Sequence, residues 1–235
     1  MARILILTAV ELEARALARQ LELPAVSLLS FPAYSRGSLR VAPVGLRAGL
    51  LGDRWPDLQL GLDHPLVISA GLCGALSPEL RAGDLVLPES VIGPRGERLN
   101  VTPTPHHRAV ALAAGLARAG TLVTSPDVVA TPEEKAALFA RTGAVAVDME
   151  SSLILAHAAA AGCPTLVVRA VSDTADESLP PELMALVSPE GRLRTARALA
   201  LTVMRPRVLP RALALRQATR RGLDAVARLL AAFVA

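Results

Sequence analysis

The stretch "AVAVDMESSLILAHAAAAGCPTLVVRAVSDTADE", residues 144–177, constrains this chain more than any other. Two nearly unbroken apolar runs, "AVAVDM" and "PTLVVRAVSD", flank "ESSLILAHAAAAG", which has the length of a helix and closes on Gly162. Apolar strands without alternation belong to parallel sheets covered on both faces, and the helix between them supplies the crossover. Acids stand at the joints: Asp148 and Glu150 where the first run stops, Asp173 where the second stops. Open α/β sheets bind ligands outside the carboxyl ends of their strands, so the pattern directs carboxylates to one rim. Capping of the next element is the alternative for either acid alone. It accounts less well for the pair beside Met149 and Arg169.

The remaining sequence fits the same plan. "ARILILTAV" reads as a buried strand and "ELEARALARQL" as a helix with Leu and Ala on one face. "LRVAPVG" is a second strand, "HPLVISAGLCGAL" a third running into a glycine turn, and "GDLVLPESVIG" a fourth. "HHRAVALAAGLARAG" predicts a helix ending at Gly120, and "GTLVTSPDVVA" a strand and loop. "TPEEKAALFARTG" predicts a helix with Thr131 as N-cap, Pro132 at its first position and Gly143 beyond its end. At 235 residues the chain suffices for one substantial α/β domain. Aromatics make up 2% of it, so the core must be built from Ala, Leu and Val. The expected organisation is one α/β domain over residues 1–190 and a helical extension over 191–235.

Several classes are disfavoured. Cys73 and Cys163 form no disulfide framework and no metal-type cluster, which points to a reducing, cytoplasmic compartment. No His/Cys/Asp ligand set is evident, so neither a metal nor another cofactor is expected. The N-terminus lacks the tripartite shape of a signal peptide, and the longest apolar passage, 152–168, is broken by His157 and "GCP". The net charge of +4 divides into +9 from Gly191 to the end and −5 before it. The adjacent His106 and His107 diverge and make a poor metal pair.

At this point "AVDMESS" and "VVRAVSDTADE" resemble the paired motifs of the nucleoside phosphorylase and nucleosidase superfamily. "ISAGLCGALSPELRAGDLVLPES" is similar to its glycine turn and following strand, and "TAVELEARAL" to its first strand and acid-rich turn. The pattern lies nearest the hydrolytic members, such as methylthioadenosine/S-adenosylhomocysteine nucleosidase. The resemblance implies a twisted, mixed central sheet flanked by helices and, commonly, a homodimer. It also implies roles. Asp173 protonates the departing purine and Ser172 orients it. Glu150 holds the ribose hydroxyls, with Met149 packed on the sugar. Glu13 positions and deprotonates the attacking water. Gly71 and Gly74 form the turn near the anomeric carbon, and Val128 and Val129 line the base, where the family often has an aromatic. Elementary chemistry agrees: cleaving an N-glycosidic bond builds positive charge on the sugar and negative charge on the base. One carboxyl must therefore donate a proton while another stays ionised. Glu11 and Glu13 would repel phosphate, which favours water as nucleophile. For Glu13 the bland alternative is an exposed first-turn acid.

The tail resembles one branch, the hopanoid-biosynthesis-associated phosphorylases, in "TGAVAVDMES", "SLPPEL" and a proline-punctuated basic C-terminus. That branch implies adenosylhopane as substrate, an adenine nucleoside with an apolar 5′ group. From about Arg211 a helix places Leu215, Leu223, Val226, Leu230 and Phe233 on one side. Arg216, Arg220, Asp224 and Arg228 form a row on another, where Asp224 can pair with two arginines. Such a helix suits either docking on the domain or contact with the inner membrane face. Rival readings are the thio-nucleoside hydrolase and a non-catalytic nucleoside- or lipid-binding protein. Nucleic-acid binding is disfavoured by the scarcity of stacking aromatics.

Overall fold

The computed structural model describes residues 3–26, 29–103, 105, 110, 117–179, 188 and 209–234. In chain order its strands are β1 (Ile4–Thr8), β2 (Tyr34–Arg36), β3 (Leu39–Pro43), β4 (Leu66–Ala75), β5 (Leu85–Val86), β6 (Ser90–Ile92), β7 (Arg98–Asn100), β8 (Ala117–Arg118), β9 (Thr121–Thr124), β10 (Ala146–Asp148) and β11 (Thr165–Asp173). The helices are α1 (Glu11–Gln20), α2 (Leu51–Gln59), α3 (Pro132–Thr142), α4 (Ser151–Ala160) and α5 (Leu209–Val234), with a 3₁₀ turn at Leu46–Ala48. All eleven strands join one mixed sheet.

Alternation along β1 explains the layers. Ile4 and Ile6 join a cluster with α1 and α5 on one face, while Leu5 and Leu7 join α2 and α4 on the other. Each fully buried Leu or Ile contributes about 1.5–3 kcal/mol relative to exposure. Helix α5 covers the sheet through Val226, Ala227, Leu230 and Phe233, all buried, so its apolar stripe docks on the domain. Asp224 accepts a hydrogen bond from the Gln20 amide of α1. Among the described residues, no helix is long and apolar enough to cross a membrane.

Helix α3 forms where expected. The Thr131 hydroxyl accepts from the Glu134 N–H, the Glu134 carboxylate accepts from the Thr131 N–H, and Gly143 closes the helix at φ 66°.

Four expectations need correction. β10 and β11 are not adjacent parallel strands: β4 lies between them, antiparallel to β10 and parallel to β11. Their carboxyl ends therefore meet head-on at Gly74, which pairs with Val147 on one edge and Asp173 on the other. The glycine turn is no turn, since β4 runs through Gly71 and Gly74 and its ladder with β11 holds that segment extended. The fourth strand is two, β5 and β6, because Pro88 cannot donate to a ladder. The helix expected to end at Gly120 gives way to strand β8, which pairs with β5; most of its length, with His106 and His107, lies outside the described residues. So do residues 191–208 of the extension.

Candidate active site

The convergence of strand ends at Gly74 creates a cavity of about 270 Å³. It is lined by Glu13, Glu150 and Asp173 together with Met149, Ser172, Gly74, Val128 and Val129. Of the nine residues singled out in the sequence, eight line this cavity. Gly71 sits one shell behind, where a Cβ would lie 2.7 Å from Glu13 Oε1 and 2.8 Å from Arg169 Nη1. Its φ of 151° also disfavours any side chain. Glu11 lies outside the cavity lining and pairs with Arg15 on the surface, so only one of the two N-terminal acids reaches the site.

Glu13 is buried, against the alternative of an exposed helix acid. Its Oε2 accepts from the N–H groups of Ala9 (3.1 Å) and Val10 (3.2 Å), and its Oε1 accepts from Leu72 N–H at 3.1 Å. Burial raises its pKa, opposed by the Arg169 charge and by these three bonds.

Glu150 occupies the N-cap position of α4 but makes no capping bond; the Asp148 carboxylate accepts from Ser151 N–H instead. This leaves Glu150 free to face the cavity, with Oε1 accepting from Arg47 N–H at 3.0 Å. Arg47 adopts a left-handed φ of 55° to reach it. Burial pushes the Glu150 carboxyl up to about 7; Arg169 opposes this, and Asp148 and Glu13 reinforce it. Arg169 is the cation of this side: fully buried on β11, it pairs with Asp148 at 2.8 Å and donates to the hydroxyls of Ser69 and Ser151. Burial opposes its charge, but Asp148, Glu150 and Glu13 outweigh that and hold it protonated.

Asp173 lies across a register shift between Val171 and Asp173, a bulge of the kind that re-aims side chains beside active sites. Its Oδ1 accepts from the Ser172 hydroxyl at 2.6 Å and its Oδ2 from Lys135 Nζ at 2.6 Å. Sequence reasoning missed Lys135, although it is the sole lysine among twenty-five basic residues. Arg169, which the sequence offered as a partner for one of the acids or a mere strand end, pairs with Asp148, which sequence reasoning left without a role. His157 is exposed, with its ring edge-on to Trp55 at 5.5 Å. Cys73 is buried beside the site, and burial pushes its thiol far up, so it stays protonated and inert. Among the described residues, no group of three or more His, Cys, Asp or Glu could hold a metal ion.

Comparison with known proteins identifies the family and the fold. A family model described as the phosphorylase superfamily matches residues 59–203. The futalosine hydrolase of Streptomyces coelicolor is 31% identical over 196 residues, covering 72% of this chain and 83% of that protein. Solved structures share the fold at lower identity. The 5′-methylthioadenosine/S-adenosylhomocysteine nucleosidase of Helicobacter pylori superposes with a TM-score of 0.70 at 16% identity, covering 99% of this chain and 97% of that one. The futalosine hydrolase of the same organism gives 0.70 at 17% identity over the same shares. The Neisseria meningitidis nucleosidase, in complex with methylthio-immucillin-A, gives 0.69 at 19% identity, covering 100% and 99%. The family model and the curated relative each span enough of the sequence to settle its kinship: the chain belongs to the phosphorylase superfamily.

Proposed function

We propose that this protein is a purine nucleosidase that cleaves the N-glycosidic bond by acid-assisted attack of water on the ribose C1′. The observation that carries the reading is the convergence of Glu13, Glu150 and Asp173 on one cavity from three separate elements. In this reading Asp173, oriented by Ser172, delivers a proton to the purine as it leaves. Glu150 accepts from the ribose hydroxyls while Met149 packs on the sugar. Glu13 aligns the water and takes its proton. Positive charge growing on the sugar then faces the carboxylates of Glu13 and Glu150, where a water-poor setting strengthens the attraction. Water is favoured over phosphate because Glu13 occupies the nucleophile's side, while Arg169, the buried cation there, is already paired with Asp148.

The substrate we propose is an adenine nucleoside with an apolar 5′ group, adenosylhopane in the first instance. Ala9, Val10, Leu46 and Leu179 give the cavity a largely aliphatic lining, in keeping with such a group. The small Val128 and Val129 hold the base by edge contact, without a stacking ring. A second reading is futalosine hydrolysis, favoured by the 31% identity to the Streptomyces coelicolor enzyme. Methylthioadenosine, the ligand named in one H. pylori nucleosidase structure of the same fold, is a third substrate to compare. We further propose a homodimer working in the cytoplasm, with α5 docked on the domain.

Base release from a 5′-alkyl adenosine, futalosine and methylthioadenosine, each with and without phosphate, decides among these. Phosphate-independent release of adenine, fastest from the 5′-alkyl compound, is expected. Preference for futalosine would transfer the enzyme to the second reading, and strict dependence on phosphate would remove Glu13 from water activation. Binding of all three without release of base would leave a nucleoside-binding protein.

A further inference from the structure

Lys135 is buried at 0% exposure in α3, behind Asp173 and outside the cavity lining. Its three donors are all engaged: Asp173 Oδ2 at 2.6 Å, and the carbonyls of Thr174 (2.7 Å) and Glu177 (2.8 Å). The carbonyls belong to the loop leaving β11, which is tied to the start of α3 by the Leu179 N–H to Ala130 carbonyl bond. Stability alone does not explain this placement. Replacing a buried ion pair by apolar residues is often neutral or favourable. Arginine is the basic residue this chain uses everywhere else, and it suits fixed ion pairs better. What lysine adds is a compact cation that can surrender a proton.

Resting on the nucleosidase reading above, we propose that Lys135 is the positioning and proton-supplying residue for Asp173. As the C1′–N bond breaks, its electron pair passes to the purine, and the Asp173 carboxyl gives a proton to a purine nitrogen. That proton comes from the Lys135 ammonium of the ion pair, passed through the Asp173 carboxylate, so Asp173 ends as a carboxylate again and Lys135 as a neutral amine. Water adds to C1′ and loses its own proton to Glu13. Solvent exchange returns a proton to Lys135 and removes one from Glu13, so the cycle balances as water plus nucleoside giving purine and free sugar. Lys135 does not touch substrate; it acts through Asp173.

The test pairs two leaving groups. A purine needs a proton to depart, whereas 4-nitrophenolate departs unprotonated. In Lys135→Met and Lys135→Arg, turnover of the purine nucleoside should fall by about 10²-fold or more, while the 4-nitrophenyl riboside should lose less than about threefold. Equal losses on both substrates, or recovery of purine turnover by arginine, would overturn the proposal and leave Lys135 a structural cation. A second measurement needs neither activity nor a folded variant at this position. As the only lysine, Lys135 gives a single side-chain signal after ¹⁵N-lysine labelling of the wild type. That signal should be protected from solvent exchange and move on Asp173→Asn. A freely exchanging, unmoved signal would sink the relay whatever the kinetics. Wild-type protein that releases no base from any purine nucleoside would instead defeat the functional reading, leaving the ion pair to be judged by the labelled lysine.

Discussion

The two sides of the cavity solve the same problem with different cations. On the side proposed above for the sugar, Arg169 sits among Asp148, Glu13 and Glu150, bound to two serine hydroxyls and one carboxylate. On the side proposed for the base, Lys135 faces Asp173 and two backbone carbonyls. A guanidinium never gives up its proton under working conditions, so it suits the side where carboxylates must stay charged against a growing cation. An ammonium can, so it suits the side where a proton must move. The two cations serve one strand, β11, which carries Arg169 and, four positions on, the Asp173 that Lys135 meets.

The sharpest break of this comparison is Asp173→Asn. Base release should fall by about 10²–10⁴-fold, and removing the partner of a buried lysine should cost up to about 3–5 kcal/mol in urea unfolding. The double variant Asp173→Asn/Lys135→Met should regain most of that stability and none of the activity. Next in size, Glu13→Gln should lower kcat by about 10²-fold. Unlike Lys135→Met it should do so equally for purine and 4-nitrophenyl leaving groups, because it acts on the nucleophile; selective loss on the purine would erase the division between the sides. Gly71→Ala should destabilise by about 1–3 kcal/mol through its strained φ and the displacement of Glu13 and Arg169. It should leave the lysine signal in place, and a shifted signal would mean that the sides are mechanically joined.

The smallest effect is a pH response of the sugar side alone. With its carboxyl raised to about 7, Glu150 is protonated below that value and loses its grip on ribose hydroxyls. KM should climb by up to about tenfold per unit below pH 7. Stability runs the other way. A carboxyl whose folded pKa exceeds its unfolded value of 4.5 stabilises the fold fully below 4.5, and this contribution is lost as pH rises through about 7. The measured melting temperature should therefore drop over that window as KM improves.

Much of this site was legible from residue order. The N-cap and proline of α3, the apolar run of β1 and the acids ending β10 and β11 are local signals with local causes. Strand partners were not legible. Whether β10 and β11 run parallel depends on β4, some seventy residues upstream of β10, inserting between them. Capping was the alternative for Glu150, yet Asp148 two residues earlier takes that role by reaching the Ser151 N–H. Lys135 carried no role in the sequence because its partner is 38 positions away. Its signal was present all the same: one lysine in a chain that otherwise uses arginine.

The glycines of β4 carry a consequence for how the enzyme comes into being. The polar links onto this segment join distant chain segments: Glu13 to Leu72 spans 59 positions, Arg169 to Leu72 spans 97, and Ser172 to Cys73 spans 99. Loops of that length close late, after helices and local turns have formed. During refolding, catalytic competence should therefore lag behind the return of helical circular dichroism. An active molecule is one whose longest-range pairings have already closed, so turnover itself counts the fully folded population.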